Sequence, residues 1–318
     1  MPQRHIVNTQ TGNVAKGCEL LLFAHDHVYL QQVPRKVPHI YLTSGNRAEL
    51  LVRCINPGNY VLTAGRYPSA MGTWVNTDVN NLVQPVVLRL SVTARSRWDR
   101  THRPWEASWP LQERKCAPLY PGYAAPLTDA KIIRANAVGK MVMQQAGFTR
   151  NAPGVVGNIP FSCSVNGRFL DVPDPNPLIM EQGKIIQWTN FTGLFLHPLH
   201  LHSGTMTIVA LPLDQLQPNA TWTAWYEPGD RGDTLQFPQA KRGPGAGITL
   251  RIQPGPFSGY SMMHCHFLQH EDAGCVKLVK WQCPGYESTL GSVAGVLAEK
   301  DQPMVCKNFQ YAVPPTVW

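Results

Sequence analysis

The sequence predicts an all-β protein folded as two sandwiches, and three observations support that prediction. Apolar and polar residues alternate in many short runs, the pattern of strands with one buried face. Between the runs stand clusters of turn formers, drawn from 28 Pro and 26 Gly among 318 residues. Helical spacing is scarce. The length suits about two domains of roughly 100–200 residues each. A hydrophobic content of 43% against 15% charged residues is that of a folded chain with real cores.

In chain order, Met1-Pro2-Gln3-Arg4 is no signal peptide, and strand-like sequence follows it at once, as if the chain began inside a domain. Asn56-Pro57-Gly58 marks a turn, and Val86, Leu88, Leu90 and Val92 alternate with Val87, Arg89 and Ser91. From about Thr93 to Gly139 the chain is rich in Pro, Trp and Arg and poor in alternation, as a connection between domains would be. Strand signals resume with Ile186 and Trp188 flanking Gln187, and with Ile248, Leu250 and Ile252 around Thr249 and Arg251. Turns are expected at Pro173-Asp174-Pro175-Asn176 and Pro254-Gly255-Pro256. Leu290, Val293, Ala294 and Leu297 fall at helical spacing and predict a short helix packed on the last sandwich. The domains are therefore placed at 1–135 and 136–318.

The net charge of +8 is scattered. Its densest patch, Arg95, Arg97, Arg100 and Arg103 interleaved with Trp98 and Trp105, reads as a solvated connection, since no nucleic-acid module accompanies it. No nucleic acid is expected as a partner. No run approaches the roughly 18 apolar residues of a membrane helix, so no membrane is expected either. Asn190-Phe191-Thr192 and Asn219-Ala220-Thr221 are sequons and would suit a secreted parent protein.

Six of the eleven histidines lie in two segments, His197-Pro198-Leu199-His200-Leu201-His202 and His264-Cys265-His266-Phe267-Leu268-Gln269-His270. Successive strand residues point to opposite faces. His200 and His202 should therefore project together, as should His264 and His266. Cys265 must point the other way, toward what His197 and His270 reach from flanking loops. One side then offers a thiolate and two imidazoles, the His₂Cys set suited to blue copper. The other offers four imidazoles, part of a larger metal cluster.

These segments resemble the signatures of the multicopper oxidase family, which includes laccases and bilirubin oxidases: HPxHxH and HCHxxxH, both complete here. Ala24-His25-Asp26-His27-Val28-Tyr29-Leu30, Gly45-Asn46-Arg47-Ala48-Glu49-Leu50-Leu51 and Glu227-Pro228-Gly229-Asp230 extend the resemblance to nearly the whole chain. It implies two cupredoxin-like Greek-key β-sandwich domains, the second and third of a three-domain oxidase, the first truncated at its amino end. By the same resemblance His197, Cys265 and His270 are type 1 copper ligands, His200 a type 2 ligand, and His202, His264 and His266 type 3 ligands. The activity implied is one-electron oxidation of a phenolic, amine, pyrrole or metal-ion substrate at the type 1 site, with O₂ reduced to water at the trinuclear cluster. Small reducing substrates and O₂ are the implied partners.

Two departures from the family pattern stand out. The axial position, ten residues past Cys265, is Cys275. It could ligate copper, remain a nearby thiol, or form a disulfide, for instance with Cys283. The second departure concerns the cluster. The family's first cupredoxin domain supplies two further HxH pairs, and this chain lacks it. The only HxH outside the two signatures is His25-Asp26-His27, which is expected to hold no copper, while His5, His39 and His102 are isolated. Half of the trinuclear ligands are thus present, and the alternative implied is a non-catalytic type 1 electron-transfer remnant. Of the eight cysteines, taking Cys265 for copper leaves seven, so at least one more cannot pair within the chain. Glu271 and Asp272 could orient His270 or sit as solvated loop residues. Met206, Met262 and Met263 read as core filler, and Arg231-Gly232-Asp233 as a turn.

Overall fold

The computed structural model describes residues 3–8, 17–31, 33–37, 40–65, 86–94, 127–128, 138–146, 162–165, 177–193, 198–211, 226–236, 248–272, 274–286 and 303–311. The predicted helix near Leu290, most of the Thr93–Gly139 connection, the turn at Pro173 and His197 lie outside them.

The all-β expectation is met. In chain order the strands are β1 (Gln3–Asn8), β2 (Cys18–His25), β3 (Val28–Tyr29), β4 (Arg35–Val37), β5 (Ile40–Tyr41), β6 (Ala48–Cys54), β7 (Gly58–Gly65), β8 (Val86–Val92), β9 (Val138–Ala146) and β10 (Ser162–Val165). There follow β11 (Leu178–Glu181), β12 (Ile186–Gly193), β13 (Pro198–Leu201), β14 (Met206–Ala210), β15 (Arg231–Gly232), β16 (Thr234–Gln236), β17 (Ile248–Ile252), β18 (Gly259–Cys265) and β19 (Val276–Gln282). A five-residue helix, α1 (Leu268–Asp272), sits between β18 and β19.

The chain divides into two compact units, 1–118 with Thr221–Tyr226, and 119–220 with 227–318. The first unit holds one sheet in the order β5-β1-β7-β8 and a second in which β2 pairs with β3, β4 and β6. Leu20, Leu22, Ala24, Leu30 and Val37 are buried in it. A disulfide joins Cys18 to Cys54 across directly paired positions of β2 and β6. Beside it Glu19 accepts from Lys36 at 2.6 Å and from Arg53, and these hydrogen bonds hold its carboxyl below the usual range.

The second unit is a sandwich of a six-stranded sheet, β10-β9-β12-β17-β14-β15, and a five-stranded one, β11-β19-β18-β13-β16. Both are mixed: β12 runs parallel to β9, and β11 parallel to β19. Trp188, Met206, Ile208, Leu250 and Ile252 are buried from the first sheet, and Leu199, Leu201, Met263, Cys265 and Val279 from the second. Fully burying such a side chain contributes about 1.5–3 kcal/mol.

Alternation located the strands better than it located their buried faces. Val86, Val87 and Leu88 are all more than 40% exposed on β8, which among the described residues is the end strand of its sheet. Arg251, read as an outward residue of β17, is 1% exposed. Its Nε donates to Gln187 at 2.9 Å and its Nη1 to the Leu127 carbonyl, so its charge is solvated by protein. The Asn190-Phe191-Thr192 sequon lies within β12, which pairs on both sides, with β9 and β17.

Candidate metal centre

Three adjacent strands of the five-stranded sheet build the site. β13 pairs antiparallel with β18, setting Leu199 opposite Cys265 and His200 opposite His264. On its other edge β13 pairs with β16, setting His200 opposite Thr234. The ladder continues past the strand ends: His202 N–H donates to Met262 O at 2.9 Å, and His266 N–H to Pro198 O at 2.8 Å. Leu199, Leu201, Met263 and Cys265 point into the core, which leaves the histidines that alternate with them on the opposite face.

On that face His200, His202 and His264 place their ligand-type atoms within 4.8 Å of one another. His266 borders this group, with ring centroids 5.3 Å from His200 and 5.4 Å from His264, but is not one of the three.

Hydrogen bonds fix which nitrogen of two of these rings carries the lone pair. Thr234 Oγ1 donates to Asp233 Oδ1 at 2.8 Å, so it must accept from His200 Nδ1, also at 2.8 Å. His200 Nε2 is then the acceptor nitrogen. His264 Nδ1 lies 3.1 Å from both the Cys265 carbonyl and Glu271 Oε2, neither of which can donate, so Nδ1 carries the proton and Nε2 the lone pair. His264 Nε2 faces His202 Nε2 at 3.0 Å. Two nitrogens each about 2.0–2.1 Å from one tetrahedral ion lie roughly 3.3 Å apart, so a small opening of this pair admits a metal. Burial lowers the pKa of both His264 and His202, and for His202 the neighbouring His200 adds to the effect. Both rings are therefore held toward the neutral form that ligates metals.

On the core side of β18, Cys265 is fully buried and is a thiol, not part of a disulfide. Its Sγ is 3.6 Å from His270 Nδ1. Sulfur and nitrogen donors at about 2.3 and 2.0 Å from a shared ion stand roughly 3.5 Å apart at a near-tetrahedral angle, so the pair fits a single soft metal. Burial pushes the Cys265 thiol up to about 12, because the charged form is held away from water. Burial also lowers His270. The Phe267 ring meets His270 edge-on, with centroids 5.4 Å apart.

Cys275 requires correction. It is disulfide-bonded, so of the three alternatives the disulfide is the one formed, and Cys275 offers no thiolate to a metal. The suggested partner falls, because Cys283 bonds Cys306. That second bridge follows from the chain path, since the bridge pair Phe257 and Val305 brings residue 306 back against β18 and β19. The sulfur joined to Cys275 lies outside the described residues.

His25 and His27 build nothing comparable. His25 is buried with its ring 5.2 Å from Tyr226, and His27 is exposed with Nδ1 2.6 Å from Glu49 Oε1. Met206 and Met263 are core filler, whereas Met262 is exposed. The Arg231-Gly232-Asp233 segment, expected to be a bland turn, supplies Asp233, which together with Thr234 orients His200. Glu271 serves His264, its Oε2 lying 3.1 Å from Nδ1 of that ring. Gly204 was also missed: a Cβ there would lie 2.6 Å from Trp281 Cη2, so the turn after His202 packs directly on that indole. These supports carry no motif of their own and become visible only once the strands pair.

Residues 136–280 match the model of the family described as multicopper oxidase. No curated protein matches the sequence. Among solved structures, a multicopper oxidase from Campylobacter jejuni described as a metallo-oxidase aligns at TM-score 0.53 and 16% identity, over 88% of this chain and 50% of that one. A multicopper oxidase variant from Aquifex aeolicus aligns at 0.53 and 17% identity, over 89% of this chain and 53% of that one. A laccase from Botrytis aclada aligns at 0.50 and 16% identity, over 93% and 51%. The chain thus spans about half the length of these structures.

Proposed function

We propose that this chain, whose residues 136–280 match the multicopper oxidase family model, is the part of a copper oxidoreductase that carries the type 1 site and half of the trinuclear site. One observation carries the reading: the two donor sets lie back to back across β18. Cys265 and His270 face the core side, and His200, His202 and His264 converge on the other. His197 completes the thiolate set and His266 the imidazole set. Bound there, copper would supply one-electron chemistry at the thiolate site and reduction of O₂ to water at the cluster. Cys265 itself is the link between the two, since peptide bonds join it to His264 and His266.

The chain's own residues hold these donors ready. Thr234 and Glu271 hold the Nδ1 protons of His200 and His264, leaving Nε2 of each for metal. The reductant is a small phenolic, amine, pyrrole or metal-ion substrate, and a further cupredoxin domain supplies the remaining imidazoles. The Cys18–Cys54 and Cys283–Cys306 bridges support an oxidising, secreted setting.

Copper titration of the chain, followed by visible absorption and metal analysis, tests the proposal. An intense blue band that disappears in Cys265→Ser, with the fold retained by circular dichroism, is the expected result. Persistence of the band in that variant would refute the thiolate assignment. A blue chain with one copper would leave the electron-transfer remnant as the better description.

A further inference from the structure

We infer that Cys265 and Cys275 form a thiol–disulfide exchange pair that competes with copper for the Cys265 sulfur. The competition rests on the reading of Cys265 as a copper ligand; the exchange chemistry does not.

The register of β18 with β19 sets His264 opposite Val276. One step further, Cys265 stands opposite Cys275, and its N–H donates to the Cys275 carbonyl at 3.0 Å. Opposed residues of an antiparallel pair share a face, with Cα atoms about 4.5–5.5 Å apart. That spacing lies within the roughly 4.4–6.8 Å that a disulfide spans. Both residues are fully buried, so they meet in the same piece of core. One is a thiol, and the other already belongs to a disulfide whose second sulfur lies elsewhere. A thiol and a disulfide sulfur therefore occupy facing positions at the site where a type 1 ligand set is needed.

The local backbone keeps the two in register. Cys275 N–H donates to His270 O at 3.0 Å and Gly274 N–H to Glu271 O at 2.9 Å, closing the loop that begins at Cys265 and carries His270. A bond between Cys265 and Cys275 would staple the base of that loop without moving strands.

The step is balanced within the chain. The Cys265 sulfur gives up its proton and bonds to Cys275 Sγ. The bond from Cys275 to its present partner breaks, and the partner leaves as a thiolate that takes the proton. One disulfide is exchanged for another, with no external oxidant or reductant. In the exchanged form Cys265 cannot ligate metal, and the same reaction run backward by the released thiol restores it. Copper, once bound to Cys265, withdraws the attacking sulfur. The site would thus retain a chemical mark of having been left without metal.

Both cysteines fall in one tryptic peptide, 252–277, which has no Lys or Arg before Lys277. The chain prepared without copper, and the same chain loaded with copper, would be held without oxygen, quenched in acid with an alkylating agent and digested without reduction. In the resting form this peptide is alkylated once and linked to another peptide. In the exchanged form it is unalkylated, unlinked and two hydrogens lighter than its dithiol form, while a new alkylated thiol appears elsewhere. We expect the exchanged peptide to accumulate without copper and to be suppressed about 100-fold with copper at about 100 times its Kd. Its absence from the copper-free chain would overturn the pair, whatever the blue band shows. Equal accumulation with and without copper would overturn the competition and the copper assignment of Cys265 together.

Discussion

The triplet His-X-His occurs in both units, and the copies at 25–27 and 200–202 behave differently. His200-Leu201-His202 brings its rings to 4.7 Å between centroids and faces His264. His25-Asp26-His27 sends one ring into the core beside Tyr226 and the other into solvent beside Glu49. The difference lies in where the left-handed turn falls. In the second unit it falls at Ser203, φ 61°, after the pair is complete, so Leu201 stays extended and alternation holds. In the first unit it falls at Asp26, φ 50°, and His27, φ 65°, between the two rings and on the second of them. A shared triplet makes a shared face only if the residue between the histidines is extended.

Copper content gives the largest contrast. Replacing His202 and His264 together with Ala should remove the metal bound by the imidazole face while leaving the blue band of the thiolate site. Replacing His25 and His27 together should leave copper unchanged by metal analysis. Loss of copper from the second variant would show that the turn geometry does not decide ligation.

How much of this was legible follows from the same contrast. The two signatures and strand alternation suffice to place Cys265 on one side of β18 and the histidines on the other, because that inference needs only the two-residue period. They do not reveal Glu271 on His264, or Thr234 on His200, since those contacts cross strand pairings set by the whole sheet. Nor could alternation tell the exposed edge β8 from a buried strand, or foresee that Arg251 is covered. The state of Cys275 was open for a related reason, because disulfide pairing depends on which distant segments the fold brings together.

The turn in the first unit is held by a buried carboxylate. Asp26 accepts from Arg47 N at 2.8 Å and from Asn46 Nδ2 at 3.4 Å, and its side chain is fully covered. Asp26→Ala should destabilise that unit by about 2–4 kcal/mol in urea denaturation, because it strands those donors in the interior. Asp26→Asn, which keeps one acceptor, should recover much of the loss. If both variants are neutral, the positive φ is set by chain path and not by the carboxylate.

In the second unit the corresponding hold is steric. Gly204 lies against Trp281, whose indole N–H donates to Ser261 Oγ at 2.6 Å, and Ser261 Oγ in turn donates to His202 O at 3.3 Å. Gly204→Ala should cost about 1–3 kcal/mol by overpacking. It should also weaken copper binding at the imidazole face, since the indole and the His202 backbone share one support. A loss of stability with unchanged copper affinity would separate the two roles.

The smallest effect is expected at His27, and it bears most directly on why the two rings of its triplet diverge. The ring and Glu49 form an exposed pair, 2.6 Å apart with side chains 70% and 42% accessible. Pairs of this kind contribute about 0–1 kcal/mol, so His27→Ala should shift the denaturation midpoint little and copper content not at all. A larger loss would mean that the ring holds the left-handed turn in place. His27 would then be a structural part of the device that keeps the two histidines apart, and the divergence of the triplet would be actively maintained by one of its own members.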